Sequence, residues 1–274
     1  MTRVQTGRTH TRLTATIGAL ALMASVTTGA PADDMAWSVA RCQRAIRQLI
    51  NEEDYPVEFA GEFEHGLVQR RVLYHFQGPA RAEGPRDIFQ VDPRAHVVVY
   101  AHLWSRMDDR FYTVGDPMCG KQEADPEEAE QLAFQIAREH CPQVLGNPNM
   151  LAKDLGGSPY IFKWRQVALP WGVRLPREVV VSIDAITGQF CSWRLRLADI
   201  VIDLEPRRQE QEVTEIVQRA VGYGPEAQTE IYPRCIGVGD EQRLLWDAHY
   251  RLNNEPIVVC VDDETGRVEA VLPM

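Results

Sequence analysis

The chain's 274 residues are 45% hydrophobic and 25% charged, a globular balance that excludes a disordered polymer. Its 29 basic and 39 acidic residues give a net charge of −10, and because Arg3, Arg8 and Arg12 all precede the first acid, Asp33, the part beyond residue 32 stands at −13. Such a surface is repelled by phosphate, which argues against non-specific binding to nucleic acid or anionic membranes.

At the N-terminus, three arginines are followed by Leu13 to Ala30 without a charge and then by Ala30-Pro31-Ala32 directly before Asp33 and Asp34. That order predicts a secretory signal peptide over 1–32, cleaved after Ala32. The apolar centre, Ile17 to Val26, is only about half of what a bilayer core requires, and no later stretch is long enough to span one. The expected protein is therefore exported, periplasmic or secreted, with no membrane span after cleavage. All six cysteines, Cys42, Cys119, Cys141, Cys191, Cys235 and Cys260, lie beyond the cleavage point, and an even count in an oxidising compartment predicts disulfides. None has CxxC spacing, so no metal or redox centre is indicated and no cofactor is expected.

Three units follow, over 33–118, 119–204 and 205–274. In the first, Val39, Cys42, Ile46, Leu49 and Ile50 share one helical face, Leu67 to Gln77 reads as a strand, and Ile88 to Tyr100 reads as strand, turn, strand. In the second, Asp125-Pro126-Glu127-Glu128 starts a helix with the stripe Ala129, Leu132, Ala133, Ile136 and Ala137, and a strand begins at Tyr160. In the third, Val213, Ile216, Val217, Ala220 and Val221 form the stripe, Gly222 stops it, and Leu244 to Ala248 is the strand.

Two hairpins superimpose without gaps: Val179 to Phe190 and Ile257 to Val268 each run from a β-branched strand to Asp, then DxxTG, then a second strand. The Asp is expected to cap the turn and the Gly to take its left-handed position. The first unit keeps Asp92 but replaces the ending by Arg94 to His96, so its turn is expected to differ. An α+β fold follows, built from tandem units of one helix packed on an antiparallel sheet. At roughly 80 residues a unit has a thin core that gains from its neighbours or from a bridge. Taken two at a time in chain order, the six cysteines suggest the pairs Cys42 with Cys119, Cys141 with Cys191 and Cys235 with Cys260.

A helix, a strand and a hairpin of the form VxVDxxTGxV resemble the PepSY family, small exported α+β modules of metallopeptidase propeptides and cell-envelope proteins. The resemblance covers Pro126 to Leu197 and Val213 to Leu272, and extends more loosely over Ala36 to Trp104. It implies a cystatin-like arrangement with the helix laid across an antiparallel sheet, and a binding or peptidase-regulating role rather than catalysis.

The chain contains no HExxH, GxSxG or phosphate-binding glycine loop. His75, His96 and His102 of the first unit are the residues on which an alternative rests, an exported hydrolase with a site there. Asp184, Asp262 and Asp263 have the chemistry of calcium ligands, but turn capping explains them. Trp164 and Trp193 are expected in the core, whereas Trp171, between Pro170 and Gly172, suits core and interface equally. With Arg165, Arg194 and Arg196, Trp171 forms the candidate binding surface, since Trp and Arg dominate interface hot spots. The expected function is a non-catalytic module that binds an extracytoplasmic protein or peptide, with regulation or inhibition of a peptidase as its specific form. A purely structural envelope protein is the third reading.

Overall fold

The computed structural model describes residues 32–65, 71–80, 84–107, 123–146, 149–156, 159–222, 227–237, 241–252 and 255–273. The expected signal segment up to residue 31, and Cys119, lie outside them. One theme recurs three times. Helix α1 (Ala32–Ile50) precedes β1 (Glu58–His65), β2 (Arg71–Ala80), β3 (Arg86–Asp92) and β4 (Val97–His102), after which Trp104–Arg106 forms a 3-10 turn. Helix α2 (Pro126–His140) precedes β5 (Asn149–Asp154), β6 (Tyr160–Ala168), β7 (Val173–Ile183) and β8 (Phe190–Leu197). Helix α3 (Glu210–Val221) precedes β9 (Gln228–Ile236), β10 (Arg243–Leu252), β11 (Glu255–Asp262) and β12 (Val268–Pro273). The fold is α+β. Among the described residues no helix is long and apolar enough to cross a membrane.

All twelve strands join one sheet, in the order β1-β2-β3-β4-β8-β7-β9-β10-β11-β12, with β6 pairing β5 and β7 off that path. Every pairing is antiparallel except β7 with β9, which makes the sheet mixed. One edge of β7 is shared: Arg177 to Ile183 pair with β8, while Arg174 pairs with Arg234 of β9. Arg174 also forms an ion pair with Glu230 and lies 3.1 Å from the centre of the Tyr232 ring.

The period-2 alternation of the strands sends one row of side chains toward α1 and α2. Phe162, Val181, Trp193, Ala101, Phe89, Phe76 and Phe59 are cross-strand neighbours in succession, across seven strands. They meet Cys42, Ile46 and Leu49 of α1 and Ala129, Ala133 and Ala137 of α2 in a single core. Alanine at every fourth position of α2 leaves room for the large aromatics of the sheet beneath it. Asp125 caps that helix through Oδ1, which accepts from the Glu127 and Glu128 amides at 2.7 and 3.2 Å. The last four strands have a core of their own, in which Val213 and Val217 of α3 pack on Trp246, Ala248, Tyr250, Val259 and Val261. A small cluster of Val173, Leu175, Cys235 and Leu244 sits where β7 meets β9.

The hairpin turns are built as their sequences require. Asp184 Oδ1 accepts from the amides of Ile186 (3.0 Å) and Thr187 (2.8 Å) and from the Thr187 hydroxyl (3.1 Å), and Gly188 follows at φ +69. Asp262 Oδ1 accepts from the Thr265 amide and hydroxyl at 2.7 and 2.8 Å, with Gly266 at φ +68. The expectation that the first unit's turn differs is corrected. Asp92 Oδ1 accepts from the amides of Arg94 and Ala95, and His96, four residues on like the two glycines, takes the same left-handed backbone at φ +51. Its ring stands edge-on to Trp37 of α1, centroids 6.0 Å apart.

The disulfide expectation is also corrected. Cys42, Cys141, Cys191, Cys235 and Cys260 are buried free thiols. Cys235 stands opposite Leu244 and Cys260 opposite Asp247, on either side of β10. Strands two places apart are about 9.6 Å distant, and the odd offset along β10 puts the two thiols on opposite faces, so no bridge can form. Cys141 ends α2, whereas Cys191 lies in the bulge between β7 and β8 with its thiol 3.4 Å from the Ser182 carbonyl oxygen.

Candidate functional site

On the helix-free face of the sheet, the same alternation produces a polar field. Lys163, Val180, Arg194, Tyr100, Gln90 and His75 are successive cross-strand neighbours from β6 to β2, and Arg165, Glu178 and Arg196 form the adjacent row. Apart from Val180 and His75, these residues floor a cavity of about 460 Å³, walled by Leu73, Val97, Val99 and Leu197 and lined also by Asp92. A second cavity of about 290 Å³ shares Arg165, Glu178 and Arg196 with it and continues past Ala198 and Leu175 to Arg234 and Ile236. The result is a groove that follows β8 from Arg194 to Ala198.

The charges in the groove are unequally satisfied. Glu178 Oε2 accepts from Arg165 at 2.7 Å and pairs with Lys163 at 2.9 Å. Burial alone pushes its carboxyl up, but the hydrogen bonds and charges of Arg165 and Lys163 together outweigh that and hold it at about 2. Two cations thus share one buried carboxylate. Arg194 and Arg196 are exposed, and among the described residues neither forms an ion pair, although Arg196 faces Glu178 in register. Burial raises the Tyr100 phenol beside Arg194, so it stays a neutral hydrogen-bond donor. The arrangement offers charge-assisted hydrogen bonds to an anion rather than a nucleophile paired with a base.

Of the residues singled out in the sequence, Arg165, Arg194 and Arg196 meet in this groove. Trp171 does not: it sits half-exposed between β6 and β7 beside the exposed Leu169, outside the cavity lining. Trp164 and Trp193 are in the core. The three histidines fail to converge. His96 lies in the β3–β4 turn against Trp37, His75 faces Phe63, and His102 lies tilted against Trp104 with centroids 4.2 Å apart. His75 and His102 are on strands separated by β3, and burial lowers the pKa of each. No group of three or more His, Cys, Asp or Glu among the described residues is placed to hold a metal. Asp263 is engaged by the Trp246 indole and by the amides of Arg207 and Arg208, tying the incoming chain to the last hairpin.

Lys163, Glu178 and Tyr100 were not legible as site residues, because their place depends on strand register. Their one sequence signal is parity: Lys163 alternates with Arg165, and Arg194 with Arg196.

Neither a protein-family model nor a curated protein matches this sequence. The structure is similar to the Bacillus megaterium YpeB C-terminal domain, with a TM-score of 0.54 at 12% identity, covering 85% of this chain and 96% of that one. The two chains share a fold.

Proposed function

We propose that this chain is an exported, non-catalytic module that binds an extracytoplasmic protein or peptide on its helix-free sheet face. The observation that carries the reading is the convergence of Arg165, Arg194 and Arg196 on one groove, the last two forming no ion pair among the described residues. The fold shared with the YpeB C-terminal domain supports a PepSY-type module, and regulation of a peptidase is the specific form of the role. Binding by a preformed sheet face also suits a chain whose histidines stand apart from one another.

The test is a pull-down from envelope and culture-supernatant fractions with the wild-type protein and the double variant Arg194→Glu, Arg196→Glu. A saturable partner retained by the first and lost from the second supports the reading, and adding the module to a captured peptidase reports regulation directly. A partner held equally by both proteins removes the groove from the account. No saturable partner at all favours a structural envelope role.

A further inference from the structure

We infer that the groove takes an extended peptide segment with carboxylates at alternate positions, one seated on Arg194 and the next on Arg196. The inference rests on the binding role proposed above and names its ligand class. Arg194 and Arg196 are alternate residues of β8 and leave the same face of the sheet. Their stems are therefore about 6.7 Å apart, which is also the separation of side chains i and i+2 on an extended peptide. A segment lying along β8 brings two acidic side chains into register with the two forks, and a guanidinium fork matches a carboxylate in two parallel hydrogen bonds.

The rest of the groove fits that ligand. Lys163 and Arg165 both pair with Glu178, whereas Arg194 and Arg196 form no ion pair among the described residues; with Asp92 also in the lining, the cavity holds four cations and two carboxylates, a net charge of +2. It sits within a chain whose overall charge is −10, a contrast that draws acidic segments to this face and turns basic ones away. Leu73, Val97, Val99 and Leu197 wall the same cavity and favour apolar residues beside the acids. The two cavities joined at Arg196 make the site elongated along the strand, a shape suited to an extended chain rather than to a compact anion such as phosphate.

The test is fluorescence anisotropy with labelled synthetic peptides of sequence Leu-Glu-Val-Glu-Leu and Leu-Gln-Val-Gln-Leu, both capped, on the mature protein. The acidic peptide is expected to bind about tenfold or more tighter than its amide counterpart, and progressively more weakly as salt rises. Arg194→Gln and Arg196→Gln, both at exposed positions and checked for folding by near-ultraviolet circular dichroism, should each remove about tenfold of that affinity. Trp171→Ala, outside the groove, should leave it unchanged. Equal binding of the two peptides would overturn the carboxylate assignment while leaving the binding role intact. Displacement of the acidic peptide by equimolar inorganic phosphate would reduce the site to a small-anion site and also overturn the assignment. If neither peptide binds, the ligand class is wrong, and the pull-down with the double glutamate variant separately decides the binding role.

Discussion

The indole Nε1 of Trp193, on β8, donates to the main-chain carbonyl of Val98, on β4, over 2.8 Å and across 95 residues of sequence. The ladder between these strands spans only Tyr100 to His102 against Ser192 to Arg194, so the indole carries the join beyond the last backbone pair. Trp193→Phe strands a buried carbonyl and leaves a gap in the core. The expected loss is about 2–4 kcal/mol, read from urea denaturation as a lower midpoint at unchanged slope.

Glu178 sets an acid limit on stability. Its carboxyl is held at about 2, below the ordinary 4.5, so the contribution is complete above pH 4.5 and drains away as the pH falls toward 2. The shift corresponds to about 3 kcal/mol. Glu178→Gln should lose about that much at neutral pH, and the gap between wild type and variant should close as both are denatured in urea at successively lower pH.

The turn aspartates should rank by burial. Asp184, fully buried, should cost about 2–3 kcal/mol as Asp184→Ala, against about 1 kcal/mol for Asp92→Ala. Asp184→Asn keeps an acceptor and should recover most of the loss. Thermal denaturation of the three variants gives the order.

Burial raises the thiols of Cys42, Cys141 and Cys260 to about 11, and pushes Cys191 and Cys235 up as well. All five should resist iodoacetamide at neutral pH in the native protein and react fully in guanidinium without reductant. Peptide mass spectrometry after each treatment checks this, and any of the five unlabelled after denaturation would reveal a bridge.

What could be read from the sequence was what local chemistry dictates. The stripes of α1, α2 and α3 and the DxxTG turns are written in residue spacing, and each appears where the spacing places it, except that Ala220 of the α3 stripe is exposed. Strands β1, β5 and β9 were missed for distinct reasons. Glu58–His65 interleaves glycine and acids with its two phenylalanines, Asn149–Asp154 is a largely exposed edge, and Pro233 interrupts β9. The left-handed His96 could not be foreseen, because the turn imposes on it a backbone that its own residue type disfavours. The site was half-legible for a similar reason. Parity puts Arg194 and Arg196 on one face, but only long-range register puts Glu178 between Lys163 and Arg165.

The parallel contact of β7 with β9 has a mechanical meaning. Eight strands and two helices form one slab around a common core, whereas β9 to β12 and α3 carry a separate one, and the ladder between the two bodies is a single pair, Arg174 with Arg234. Arg174, pinned by Glu230 and stacked on Tyr232, is the rivet of this seam, beside the small cluster of Val173, Leu175, Cys235 and Leu244. Arg194 and Arg196 ride on the slab, while Arg234 and Ile236 at the far end of the groove ride on the other body. A ligand long enough to touch both ends would therefore act as a clasp, fastening the seam as it binds.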